Sequence, residues 1–119
     1  MPRAVPPADI APEEFFTRWL PGVVASDAER RAKLGDTEAT IAFELTGDGG
    51  GPYGVRVAGG LVTGFAGEAP DADLHVRVDL ATWRALNAGT LSAPMAFLQR
   101  RVHLAGNLML AVKLHLIIG

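Results

Sequence analysis

An α+β domain is what this 119-residue sequence predicts, and three observations point there. Helical and two-residue hydrophobic periods both occur, in separate stretches. Three strand-like runs follow one another closely enough for a meander, while two later strands are set apart by helical segments. With 49% hydrophobic and 20% charged residues there is enough apolar material for one core, and the length leaves no room for two.

Residues 1–9, rich in proline, are expected to form a loose N-terminal segment, and residues 10–119 a single domain. A helix begins near Pro12, whose missing N–H has no partner in a first turn anyway. Glu13 and Glu14 suit the positive end of its dipole, Phe15, Phe16, Trp19 and Leu20 form its apolar face, and Pro21-Gly22 should end it. Ser26-Asp27-Ala28-Glu29 has the spacing of a capping box, predicting a second helix to Leu34 with Gly35 as its stop.

The period then becomes two. Thr37, Ala39, Ile41, Phe43 and Leu45 alternate with more polar neighbours, as in a strand with one buried face. A glycine-rich hairpin loop leads to a strand carrying Tyr53, Val55 and Val57. Gly59-Gly60 then turns into a third strand, Leu61 to Ala66. In the fourth, Leu74, Val76 and Val78 oppose His75, Arg77 and Asp79. Asp79 can cap a helix bearing Leu80, Trp83 and Leu86 that stops at Gly89, and Ser92 a shorter one bearing Met95, Phe97 and Leu98. Val102 and Leu104 mark a fifth strand, and Gly106-Asn107 opens the last helix.

A net charge of −2 argues against a phosphate-backbone binder, so no nucleic-acid partner is expected. Without cysteine there are no disulfides, thiolate nucleophiles or Cys-ligated zinc. No apolar run reaches the length of a membrane span, and the N-terminus lacks the pattern of a secretory signal, so the cytoplasm is the expected compartment. Ser26 and Ser92 fall at helix caps instead of a nucleophile elbow, and Gly47–Gly51 precedes a strand, not the helix a phosphate loop requires. His75 and His103 meet on an outer sheet face if their strands are neighbours, yet two histidines without a third ligand make no zinc site. No catalytic residue, metal or cofactor is expected.

The unusual segment is the last. From Leu108 to Ile118 only Lys113 and His115 are polar, whereas a surface helix needs one apolar stripe. Leu108, Ala111, Val112 and His115 line one side, Leu110, Leu114 and Ile117 another, and one sheet covers only one of them. The remainder must meet other parts of the chain, a partner chain or an apolar ligand. Met95, Phe97 and Met109 favour a ligand, because methionine and aromatic side chains adapt to irregular apolar cavities.

Ala72-Asp73-Leu74-His75-Val76, Leu86-Asn87-Ala88-Gly89, Ala96-Phe97 and Gly106-Asn107-Leu108-Met109-Leu110-Ala111-Val112-Lys113-Leu114 together resemble the sterol carrier protein 2 family, over about residues 10–118. The resemblance implies a five-stranded mixed sheet of order 3-2-1-4-5 with helices packed on one face. It also implies an apolar tunnel for a fatty acid, phospholipid or sterol-like molecule. Leu108, Met109, Val112 and Leu116 would close that tunnel beside Phe97 and Met95, with Phe43, Trp83 and Leu86 in its wall or the adjoining core. The sequence departs from the family where Ser92-Ala93-Pro94 replaces the usual Asn-Pro, and the basic strand before Gly106 is only partly kept. The high glycine and alanine content resembles that of bacterial proteins, which favours acyl lipids over sterols. The expected role is lipid binding or transfer, with transient membrane contact. The alternative is a ligand-free accessory or dimerising module for a lipid- or quinone-metabolising enzyme, its last helix buried in a homodimer through Leu110 and Leu114.

Overall fold

The computed structural model describes residues 6, 7 and 9–118, with side chains as far as 115. The elements are α1 (Pro12–Glu14), a π-helical turn (Phe15–Trp19), α2 (Leu20–Ser26), α3 (Ala28–Leu34), β1 (Ala39–Thr46), β2 (Gly51–Ala58) and β3 (Leu61–Ala66). Then follow β4 (Leu74–Asp79), α4 (Leu80–Ala88), α5 (Ala93–Leu98), β5 (Val102–Gly106) and α6 (Leu108–Ile118). The sheet has the order β3-β2-β1-β4-β5. β1–β2, β2–β3 and β4–β5 are antiparallel, and β1–β4 is the parallel pair that makes the sheet mixed.

Register places Ile41, Phe43 and Leu45 beside Leu74, Val76 and Val78, and Val55 and Val57 on the same face. All are buried in one core with Phe15, Phe16, Leu20, Val24 and Leu34 from the helices and Trp83 from α4. The opposite face carries Glu44, Arg56, His75, Arg77 and His103 in the open. Strand alternation thus reads directly as helix side against solvent side. Gly59 and Gly60, at φ +61° and +75°, make the β2–β3 turn that the Gly-Gly pair predicts.

Two local expectations are corrected. Pro21-Gly22 does not end the first helix, which continues to Ser26. The backbone widens just before Pro21 into i→i+5 bonding, with the Leu20 N–H donating to the Phe15 carbonyl. A π turn disturbs the i→i+4 ladder, so a proline lacking an N–H fits immediately after it. The second helix is capped by Asp27, not Ser26: the Asp27 carboxylate accepts from the N–H groups of Glu29 (3.0 Å) and Arg30 (3.3 Å). Of the N-terminal segment expected to be loose, residues 1–5 and 8 lie outside the described residues; Pro6 is buried, and the Pro7 carbonyl accepts from the Ile10 N–H at 3.2 Å.

The helical layer sits unusually close to β3. A Cβ on Gly64 would stand 1.7 Å from the Phe16 carbonyl oxygen, so only glycine lets the π turn rest its backbone on the strand. That approach sets the Phe16 ring 4.8 Å from Phe43 and stacks it on Tyr53 at 5.1 Å.

Candidate functional site

α6 rests on α3, β4 and β5. At about 100° per residue, positions 110, 111 and 114 share one side and 108, 109, 112 and 115 the other. The first side is covered: Leu110 belongs to the core, and Ala111 and Leu114 are packed against it. The Lys113 ammonium donates to the Thr37 hydroxyl, holding the helix over the start of β1. On the second side Leu108, Met109 and Val112 are 56%, 66% and 51% exposed. Leu110 and Leu114 therefore serve this chain's own core and are not free for a partner chain.

α5 repeats the pattern. Ala96 is buried against β5, while Met95, Phe97 and Leu98 stand in solvent, Leu98 at 73% exposure. Beneath both helices lies β5, the sheet edge, whose Val102 and Leu104 pair with Val78 and Val76 and are only half-buried on the helix side. Apart from Leu61, every strongly exposed large hydrophobic residue among those described lies on α5 or α6. Both helices thus expose apolar side chains beside the half-buried Val102 and Leu104 of β5.

Polar contacts fix these elements. Asp73 joins three chain segments: its carboxylate accepts from the Thr40 N–H (2.9 Å), its N–H donates to the Thr40 carbonyl (2.8 Å), and its carbonyl accepts from the Asn107 N–H (2.8 Å). Gly106, at φ +113°, permits this, because a Cβ there would meet the Asp73 carbonyl oxygen at 2.4 Å. The Asn107 side chain then caps α6, accepting from the Met109 N–H at 3.1 Å. At the other end of β5 the buried Thr82 hydroxyl donates to Asp79 and accepts from the Arg101 Nε at 3.2 Å, tying α4 to the start of the strand. Hydrogen bonds from the Thr82 side chain and backbone hold the Asp79 carboxyl below its ordinary value of 3.8, and the Arg101 charge adds to this against the opposing effect of burial.

The expected binding residues divide in two. Met95, Phe97, Leu108, Met109 and Val112 are exposed on α5 and α6, whereas Phe43 and Trp83 are buried in the core and Leu86 is half-buried on α4. The Leu116 side chain lies outside those described. Asp73 is the tie that positions α6; nothing local in the sequence signals a contact with Thr40 and Asn107.

A hollow of about 430 Å³ lies on the other side of the sheet, where Glu44, Glu68, His75 and Arg77 give it a polar lining. Arg77 and Glu44 approach to 3.6 Å there but are mostly exposed, so the pair contributes little stability. His103 sits directly opposite Arg77, and His75 opposite Ala105, so the two histidines are only diagonal neighbours. Among the described residues no three His, Cys, Asp or Glu side chains converge as a metal site would require, and no helix is long and apolar enough to cross a membrane.

Solved structures share this architecture. A sec-alkylsulfatase, Pisa1, from Pseudomonas sp. superposes with a TM-score of 0.69 at 20% identity over 92% of this chain, which spans 16% of the sulfatase's length. The palmitated SCP2L2 of Aedes aegypti gives 0.61 at 21% identity, covering 75% of this chain and 86% of that one. A sterol carrier protein domain of Helicoverpa armigera gives 0.66 at 21% identity, covering 82% and 77%. At these identities the likeness is one of fold. Sequence comparison with curated proteins gives no match. The profile of the SCP-2 sterol transfer family matches residues 16–118, nearly all of the sheet and helices described above, and the chain belongs to that family.

Proposed function

We propose that the domain is a non-catalytic, cytoplasmic lipid-binding or lipid-transfer module that holds an acyl lipid in the groove between α5, β5 and α6. The observation that carries this reading is the exposed side of α6: Leu108, Met109 and Val112 face away from the core, with Met95 and Phe97 on the other helix that rests on β5. A hydrocarbon guest lying on Val102 and Leu104 would cover these side chains and close the groove into a tunnel. Phe43, Trp83 and Leu86 would then back the wall without touching the guest at every point. Family membership supports the reading, as does the relative solved in palmitated form.

The energetics suffice. Each methylene removed from water contributes about 0.8 kcal/mol. A long acyl chain therefore yields on the order of 10 kcal/mol gross, against an association cost of about 4–15 kcal/mol. Micromolar affinity needs no charged anchor, and selectivity between chain lengths is weak, because an apolar slot discriminates poorly by single methylenes.

Native mass spectrometry of the purified protein tests this. Monomer carrying the extra mass of a fatty acid or phospholipid is the expected result. Met109→Asp should abolish binding of a fluorescent fatty acid while circular dichroism stays unchanged. A lipid-free dimer would instead favour the accessory or dimerising role, and undiminished fatty-acid binding by Met109→Asp would remove the guest from this groove.

A further inference from the structure

The sheet face turned away from the helices is not flat. In one row across the strands, Glu44, Arg77 and His103 stand side by side on β1, β4 and β5. In the next row the neighbours of His75 are small: Gly54, Ala42 and Ala105. Long side chains in one row and short ones in the next leave a depression over Ala42. The connection from β3 to β4 must pass β2 and β1 to reach its strand. It departs with the Gly67 N–H donating to the Pro52 carbonyl at 2.9 Å and arrives with Asp73 bonded to Thr40. Its residues Glu68, Ala69 and Pro70 wall the depression and make the hollow of about 430 Å³. That volume is at the low end of small-molecule sites and suits a compact ligand. The lining carries groups of both signs: the carboxylates of Glu44 and Glu68, and Arg77 with His75 on β4. Glu44 approaches only the Nε of Arg77, at 3.6 Å, which leaves the terminal guanidinium nitrogens to another acceptor.

We infer that this hollow binds a small zwitterion, its anionic group on Arg77 beside His75 and its cationic group facing Glu44 and Glu68. A plain anion brings its charge against two carboxylates, and a plain cation meets Arg77. A molecule carrying both charges finds a partner at each end. Glu44 and Arg77 lie on neighbouring strands, about 4.8 Å apart, so the ligand charges stand about one strand spacing from each other, as in a short ω-amino acid. The guanidinium fork accepts a carboxylate through two N–H groups, and Ala42, Pro52 and Ala69 offer apolar surface to the methylenes between the charges. Opening the Glu44–Arg77 pair costs little, because its side chains are 63% and 64% exposed. The same exposure keeps the affinity low, with a Kd on the order of 1 mM. The site lies across the sheet from Met95, Phe97 and Met109 and does not rest on the lipid-binding reading.

Amide chemical shifts of the full chain, titrated with γ-aminobutyrate and with its single-charge analogues butyrate and butylamine, test it. γ-Aminobutyrate should give saturable shifts gathered at Ala42, Glu44, Ala69, His75 and Arg77, and each analogue should bind about fivefold more weakly. Arg77→Gln and Glu44→Gln, at exposed positions that should leave the melting temperature unchanged, should each weaken γ-aminobutyrate by about fivefold. Phe97→Ala, on the far side of the sheet, should leave the titration as it is. Shifts spread evenly over the surface, an analogue that binds as tightly as γ-aminobutyrate, or an unaltered titration in both variants would each overturn the inference. So would an absence of shifts at about tenfold above the expected Kd. Fatty-acid binding by the same samples is read separately, and its loss or retention bears only on the carrier proposal.

Discussion

Phe16 on the π-helical turn is 0% exposed, whereas Phe97 on α5 is 53% exposed, although both sit on helical segments packed against the same sheet. Around Phe16 the structure is closed by its own side chains. Gly64 lets the turn's backbone touch β3, and Phe43, Tyr53 and Trp83 surround the ring. Around Phe97 the only deep contact of the helix is Ala96, and the strand beneath is an edge with half-buried Val102 and Leu104. One end of the domain is therefore finished as a core, and the other keeps its apolar side chains at the surface. Under the proposed function, stability and lipid binding are drawn from different ends of one sheet.

The largest expected effect separates those two ends directly. Phe16→Ala should cost about 3–5 kcal/mol in denaturant unfolding, while Phe97→Ala should stay within about 0.5 kcal/mol. Comparable losses from the two would erase the distinction. A smaller effect probes the joint between the ends. Gly106→Ala puts a methyl group against the Asp73 carbonyl at a φ suited to glycine, and should cost about 1–3 kcal/mol. Hydrogen exchange should quicken in the α6 amides ahead of those of β1; uniform quickening would mean that α6 is not a separately hinged element.

The smallest effect is on pH. Asp79 has a folded pKa below its unfolded value, so its contribution is complete above the ordinary 3.8 and is lost as pH falls through the lowered folded value. Thr82→Val removes the leading cause of that shift and should flatten the acid limb of a melting-temperature profile, at a cost of about 1 kcal/mol near neutrality. An unchanged acid limb in the variant would assign the dependence to other carboxylates.

Much of this was readable residue by residue. The strand phases at Ile41, Phe43, Leu45 and at Leu74, Val76, Val78, the Asp79 and Ser92 caps, and the Gly35 and Gly89 stops follow from contacts within a few residues. Errors arose where two local solutions compete: Ser26 and Asp27 are both able to cap, and Pro21 reads as a terminator unless the preceding turn widens.

Residue order alone determined which side chains each strand turns to one face, where most helices begin and stop, and that α6 is too apolar for a single covering. These depend on short-range periodicity and on hydrogen bonds closed within a turn. Only the tertiary structure decided which side of α6 is covered, because that rests on contacts between distant segments: Lys113 with Thr37, Asn107 with Asp73, and Leu110 with the core. It likewise decided that Val102 and Leu104 on β5 stay only half-buried, because the helices beside them turn their larger side chains outward.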